Sequence, residues 1–480
     1  FFQHETIQQK RWYMKAIQTL WCGDRDLETS PFWWLHAEYN LMSWALSCMS
    51  LKEQFGKVTL YTDSRGARML ADRLGLPYDE VVVCFDGFDC LTCHWALAKV
   101  KTYSVQTEPF VHIDGDIYLP RPLPGEVTGA RLVAQNKEQC TDYYGGMIRK
   151  FLAVEGLKLS PQFDRVLRGG DVPSYNLGFC GGNDLDFFGR YCDEIFRFFR
   201  DNDFNGDRFR FSDISANVVY EQVFFAIMAR DECVDVTTVH PATVRDNGYM
   251  QRDFCDLPHY GQKQFIHILG GHKRTPEVCN WLERTLLREY PAMYERVAAL
   301  FPERHERLSG RPVHVENAQE FAGLENYRTF LNSCNEAWNG IGRDALLAEA
   351  RKAAVVTGLT DKDKPVRDGL VFSRNPFLKI YNIPAGEADM LKKRLKVSPA
   401  ERKNDVAVTP SVSGNGFAEY ALDDLSYNVL TLLGEPKTFV RLGTELQPCF
   451  AGDTPPETVG QCLGRTLGGL LSHGMVTACG

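Results

Sequence analysis

No apolar run in the 480 residues approaches the roughly 20 that a membrane-crossing helix needs. Nor is one charge in excess. Basic side chains number 54 against 62 acidic ones, a formal −8, so the overall balance directs the chain neither to nucleic acid nor to a membrane surface. Internal repeats and low-complexity tracts are missing as well. No signal-peptide pattern is visible, although the sequence starts without Met. The 15 cysteines are odd in number and follow no regular framework. Free thiols in a reducing cytoplasm are therefore expected rather than a disulfide scaffold.

Two local patterns fall short of the sites they imitate. Cys90-Leu-Thr-Cys93-His94 has the spacing of a c-type haem attachment, but that chemistry needs export, so these are read as buried or loop thiols. Asp201-Asn-Asp203-Phe-Asn205-Gly206-Asp207 opens like a calcium loop. Its twelfth position is Ser212, where a bidentate glutamate belongs, and a solvated turn is expected instead.

What is present suits a large globular chain. An apolar fraction of 44% with 12% aromatics is enough for sizeable cores, and the length allows two domains or three. Short apolar runs alternate with helical spacings: strands at Met14 to Cys22, Val58 to Thr62 and Val81 to Cys84, helices at His36 to Met49, Ala67 to Leu74 and Trp95 to Tyr103. This alternation predicts an α/β fold with a doubly covered, mainly parallel sheet. Leu132 to Gln135 and Tyr175 to Cys180 read as further strands, separated by a long loop expected to act as a lid or acceptor surface. Helices are expected at Asp184 to Phe199, Ala216 to Ala229, Pro276 to Glu289 and Pro291 to Leu300.

The chain is organised around Phe110-Val-His-Ile-Asp114-Gly-Asp116-Ile-Tyr-Leu119, in which a short apolar run reads as a buried strand and, at its carboxyl end, two carboxylates flank one glycine. Ligands of open α/β sheets bind beyond the carboxyl ends of strands. Carboxylates one residue apart can share a hard divalent cation that also takes waters and substrate phosphates, and Gly115 is expected to let the backbone approach that ligand. Downstream lies Phe265-Ile-His267-Ile-Leu-Gly270-Gly-His272-Lys273. An imidazole can join carboxylates on a cation, and a lysine neutralises phosphate. Each piece alone has an ordinary role: His267 in a strand, Lys273 on a surface, Asp114 capping a turn. Together they make a kit for holding a metal–diphosphate group.

His267-x-x-Gly270-x-x-Lys273 resembles the HxxGxxK motif of family 8 glycosyltransferases, and Asp114-Gly-Asp116 resembles their DxD motif. The resemblance spans about residues 14 to 300. It implies a GT-A-type doubly wound mixed sheet and a nucleotide-sugar donor, usually UDP-linked, with retention of anomeric configuration. It further implies a Mn2+ (or Mg2+) ion on Asp114, Asp116 and His267, with Gly270 and Lys273 at the donor diphosphate. Tyr175-Asn176-Leu-Gly178 is similar to the family's Asn-x-Gly strand, and Glu221-Gln222 to its acid–glutamine pair near the reacting sugar. Lys99 takes the place of a basic donor contact. Gln18 and Thr19 on the first strand, and Asp63 at the end of the second, complete the expected donor side. The family's Pro-Trp after the lysine is replaced by Arg274-Thr275.

The first domain is thus expected over 1–300, a helical connector and linker over 301–365, and a smaller α+β accessory domain over 366–480. The polar stretch Thr357 to Pro365 marks the boundary. Beyond it come a hairpin within Val406 to Ala421 around Gly414-Asn-Gly416, then helices at Asp424 to Leu433 and Thr438 to Phe450. A third helix is opened by the capping box Thr454-Pro-Pro-Glu457. The order resembles PqqD-like winged-helix domains that recognise peptides, which implies a peptide or protein acceptor; a merely structural cap is the alternative. Lys and Arg are sparse on these helices, which speaks against DNA. Rival readings of the whole are a nucleotidyltransferase, whose Gly-rich basic loop after the first strand is not found, and a non-catalytic peptide-binding protein on the same scaffold.

Overall fold

Val58-Thr-Leu-Tyr-Thr62 and Phe110-Val-His-Ile113 are apolar or β-branched at almost every position, which suits strands covered on both faces. In the computed structural model both are buried along their whole length. The structure describes residues 14–302 apart from 141, 171, 212, 213 and 247. It then describes 321–338, 341, 345, 346, 348, 349, 352, 369–395, 403–410 and 417–479. Contacts divide the chain into two compact units. The first comprises the described residues of Phe1–Phe32, Ser43–Cys255 and Lys263–Gly270; the second those of Trp33–Met42, Asp256–Gln262 and Gly271–Gly480.

The first unit is α/β. Its strands are β1 (Lys15–Leu20), β2 (Val58–Thr62), β3 (Glu80–Val83), β4 (Phe110–Ile113), β5 (Ile117–Tyr118), β6 (Leu132–Cys140), β7 (Val172–Gly182), β8 (Val236–Thr238), β9 (Val244–Arg245) and β10 (Ile266–His267). Among the described residues a mixed, mostly parallel sheet runs β3-β2-β1-β4-β7-β6-β8, with β9 also on β6. Only β7 is antiparallel to its neighbours β4 and β6. The chain lays β2 and β3 on one side of β1 and then places β4 on the other. The order therefore reverses between β1 and β4, and such a switch point opens a crevice at the carboxyl ends of the strands.

The expected long loop between β6 and β7 is not a loop. Helices Asp142–Leu152 and Pro161–Gly169 fill it, and Tyr144, Ile148, Phe151, Phe163 and Leu167 join the main core. Glycines and charges on the outer faces masked their helical spacing. The calcium-like stretch is a turn: Asp203 closes helix Leu185–Asn202 in the left-handed region, and the Asn205 side chain donates to the Asp89 carbonyl at 2.9 Å. Ser212 lies outside the described residues.

In the second unit the hairpin pairs β13 (Lys403–Pro410) with β14 (Phe417–Asp423), and β12 (Lys379–Asn382) joins β13. The turn at Gly414 to Gly416 and the stretch Thr357 to Pro365 lie outside the described residues. A second small sheet, β15 (Lys437–Thr438), β11 (Val371–Arg374) and β16 (Val476–Cys479), was not expected. Its strands are too short to carry a readable period. Helices Asp424–Leu432, Phe439–Leu446 and Pro456–Ser472 bury Val429, Leu442, Leu463 and Leu467 against Phe372 and Val476. The capping box is absent: Pro455 takes the N-cap position and no side chain caps the helix. Helix Glu325–Trp338, expected in a connector, buries Tyr327 and Leu331 against Tyr381 and Val406. Helices Pro276–Glu289 and Pro291–Ala299, expected with residues 1–300, also fall in this unit.

The haem-like motif is core. His94 is fully buried, with its ring 4.5 Å from that of Phe204 and 5.8 Å from that of Phe199, and Cys90 and Cys93 are free thiols. Burial lowers the His94 pKa from the ordinary 6.5 to about 4. Because the folded value lies below the unfolded one, the unfolded chain takes the proton first as pH falls. The contribution of a neutral His94 is therefore complete above pH 6.5 and is lost as pH falls toward 4. Replacing His94 with Phe should flatten part of the fall in Tm between pH 7 and pH 5, measured by thermal melts across buffers. Parallel wild-type and variant curves would contradict this.

Candidate metal centre

β4 stops at Ile113, and the chain turns before resuming as β5. The Asp114 amide donates to the Gly178 carbonyl on β7 at 2.8 Å, and the Ile117 amide returns to the Asp114 carbonyl at 3.1 Å. The buried strand thus ends where the two carboxylates begin, as expected, and a short second strand follows the tight turn at Asp114-Gly-Asp116. β5 then pairs antiparallel with β10, setting His267 opposite Ile117, and the Ile268 amide donates to the Asp116 carbonyl at 3.1 Å. Backbone pairing, not sequence proximity, brings the histidine to the carboxylates.

Serines on helix Ala37–Gln54 clamp this turn. Ser43 Oγ donates to the Gly115 carbonyl at 2.8 Å, Ser47 Oγ to the Ile117 carbonyl at 2.7 Å, and Ser50 Oγ accepts from the Leu119 amide at 3.1 Å. Spacings of four and three on a helix face match successive two-residue steps along an extended chain. Gly115 is required by the same helix. A Cβ there would come within 2.5 Å of the Trp44 indole, so close approach of Trp44 gives this glycine a reason that the sequence did not show.

Ligand atoms of Asp114, Asp116 and His267 all lie within 4.8 Å of one another. His267 Nε2 is 3.3 Å from Asp116 Oδ1, and its Nδ1 is 2.6 Å from Gln135 Oε1. An amide oxygen only accepts, so Nδ1 donates to Gln135 and Nε2 is the nitrogen turned toward the aspartate. Engagement of Nδ1 by an outer partner is the orientation that leaves Nε2 for a metal. Gly178 leaves room for the ring, since a Cβ there would sit 2.7 Å from His267 Cε1. Two carboxylates and one imidazole nitrogen suit a divalent cation of the Mn2+ or Mg2+ kind, with positions left for other ligands.

A buried cation stands beside the acids. Lys99 is 4% exposed, and its Nζ lies 2.7 Å from Glu221 Oε1, 3.2 Å from Asp114 Oδ1 and 3.1 Å from the Leu177 carbonyl. Burial works against its charge, yet the two carboxylates more than offset this and its pKa is raised. Burial pushes Glu221 up to about 7, opposed by Lys99 and helped by Asp114. Asp114 is raised by burial too, with Lys99 opposing. His112, fully buried, is held well below its usual range by burial and then by Lys99.

The structure therefore brings Asp114, Asp116, His267, Lys99 and Glu221 together. Lys99 spans two carboxylates, where a direct donor contact was expected. Gln222 follows Glu221 on the π-helical turn Val218–Val223 and is partly exposed. Gln18 and Thr19 are engaged internally. Gln18 donates to Ser47 and accepts from Tyr78, while Thr19 bonds Thr102 and His112. Asp63 caps Gly66 and binds the Cys22 and Gly23 amides. Asn176 donates to Tyr249 and accepts from the Gly178 amide. Gly270 is left-handed at φ 45°. Lys273 belongs to the second unit, with its Nζ 5.9 Å from the Trp34 ring centroid. Sequence reasoning missed Gln135, Trp44 and the serine clamp. The spacing Ser43, Ser47, Ser50 was the one readable trace.

Residues 14–300 match the family of unknown function DUF6734, and the chain belongs to that family. None of the curated proteins matches its sequence. Among solved structures, the Mycobacterium tuberculosis methionyl-tRNA synthetase in complex with methionyl-adenylate is similar at 10% identity. That similarity covers 74% of this chain and 84% of that one, with a TM-score of 0.17, too low to carry an argument.

Gln135→Ala should cost about 10- to 100-fold in Mn2+ affinity, the usual effect of removing an outer-shell partner, while circular dichroism and Tm without metal stay near the wild type. Equilibrium dialysis or competition with a metal indicator reads this directly. Unchanged affinity would show that Gln135 does not orient a ligand.

Proposed function

We propose that this member of the DUF6734 family is a metal-dependent glycosyltransferase. In this reading it moves a sugar from a nucleotide-sugar donor, UDP-linked, to a peptide or protein acceptor with retention. The observation that supports the reading most is the convergence of Asp114, Asp116 and His267 within 4.8 Å, with His267 Nδ1 held by Gln135 and its Nε2 toward the acids, beside the strand switch point. The finer fold assignments belong to the same reading: a GT-A arrangement for the mixed sheet, and a winged-helix-like peptide reader for the C-terminal helices and strands.

A divalent cation on Asp114, Asp116 and His267 Nε2 would supply neutralising charge to a departing diphosphate. The chain's own residues do the rest. Gln135 holds the Nδ1 proton of His267, and Lys99 fixes the Asp114 carboxylate from inside. Glu221 is 1% exposed and bound to Lys99, which suits a charge-balancing role. Gln222 sits on the same π-helical turn, and its Oε1, buried without a hydrogen-bond partner, is the uncommitted oxygen of the pair and our candidate to meet a sugar. An amide oxygen aimed at an oxocarbenium-like centre stabilises its positive charge without being neutralised by a neighbouring lysine.

Mn2+ with UDP should raise the Tm. A ligand at 100 times its dissociation constant stabilises by about 2.7 kcal/mol, and Asp116→Ala should abolish the shift. Failure of UDP, GDP and dTDP alike in the presence of Mn2+ would remove the donor-site reading. Gln222→Ala should keep the UDP shift but slow hydrolysis of the matching nucleotide sugar by about 100-fold, as for loss of one preorganised stabilising group. A variant that hydrolyses the donor at the wild-type rate would exclude Gln222 from the chemistry.

A further inference from the structure

Buried charges in the described residues come with partners. Lys99 has Asp114 and Glu221, Lys437 has Glu445, Glu387 has Tyr381 and the Asn326 amide, and Asp63 has three backbone amides. Arg284 differs. It is 8% exposed on helix Pro276–Glu289, and no described residue forms a hydrogen bond or ion pair with its guanidinium. An arginine is almost never this deeply buried unless paired, and it cannot escape the cost of burial by losing its proton.

A second donor shares its face. Trp281 lies three residues earlier on the helix, so the two side chains are neighbours. Its indole Nε1 is buried without a hydrogen-bond partner. Both meet the same short segment. The Trp281 ring centroid lies 5.6 Å from that of His473, and a Cβ added to Gly474 would fall 1.5 Å from Arg284 Nη1. Gly474 has φ 66°, so the guanidinium is packed on the backbone of a left-handed glycine that no other residue could replace without moving it.

The acids nearby are otherwise engaged. Glu283 accepts from Tyr294 at 3.0 Å, and Asp256 bonds His259 Nδ1 at 2.7 Å. His473 Nδ1 is 2.7 Å from the Gly469 carbonyl, to which it donates, so this ring supplies no negative charge either. We propose that Arg284 and Trp281 form an oxyanion-binding site in the second unit, taking one carboxylate or phosphate group. The guanidinium would offer its planar fork to two oxygens and the indole N–H would bond one of them. The site stands apart from the metal-centre reading, since none of its residues belongs to that constellation.

Thermal melts of the full chain at matched ionic strength test it, with phosphate, acetate and chloride as probes and no metal present. Phosphate or acetate at tens of millimolar should raise the wild-type Tm by several degrees over chloride. A response to phosphate alone assigns a phosphate ligand, and a response to acetate alone a carboxylate. Arg284→Met should lose the shift and, in chloride, melt no lower than the wild type, because it removes an unpaired buried charge. Trp281→Phe keeps the ring and loses the N–H, so its shift should shrink. Equal wild-type melts in all three salts overturn the site, as does a shift that survives Arg284→Met. Should Arg284→Met fail to fold, a Trp281→Phe shift equal to that of the wild type overturns it instead.

Discussion

The first unit depends on one buried ammonium. Asp114, Asp116 and Glu221 gather where solvent is largely excluded, and carboxylates crowded in that way resist ionising together. Lys99, at 2.7 Å from Glu221 and 3.2 Å from Asp114, permits the arrangement before any cation arrives. It also ties three elements into one body: its own helix, the end of β4 and the π-helical turn that carries Glu221. An ion pair of this kind adds little net stability compared with an apolar replacement, but removing one partner leaves a stranded charge and costs about 3–5 kcal/mol. Its value lies in specifying where the acids sit.

Around that centre the backbone is held by groups whose sizes and spacings agree. Three serines on a helix meet alternate residues of the turn, and two glycines leave the volumes that Trp44 and the His267 ring occupy. Small residues at such points act by exclusion, because a single added carbon would collide with an aromatic ring on the far side. Outer groups then orient inner ones. Gln135 decides which nitrogen of His267 faces Asp116, and Asn176 holds the strand whose Gly178 makes the ring's space.

The second unit follows another logic. It draws short strands and helices from separated stretches into two small sheets with their own cores. Most of its buried charges are satisfied internally, as Lys437 is by Glu445 and Arg394, half-buried, is by Glu419. Against that background the isolation of Arg284 is a specific feature of the fold rather than a general looseness.

By itself, the sequence determined the α/β class, the order of the main strands and helices, and the three ligand positions of the candidate centre. Those signals are local: runs of apolar residues, helical spacing, and two carboxylates one residue apart at the end of a strand. Only the tertiary structure decided what surrounds them. Gln18, Thr19 and Asp63 looked available for a ligand because polar residues near strand ends usually are. Their partners, Ser47, Tyr78, Thr102 and the Cys22 amide, come from elements 29 or more residues away, and no local pattern reports them. Gln135 was invisible for the same reason, since its partner lies 132 residues downstream. The helices between β6 and β7 escaped because glycine and charge on their solvent faces broke the apolar period, while packing of Phe151 and Phe163 into the core overrode that weak propensity. Local chemistry named the candidate residues; long-range pairing decided which side chains surround them.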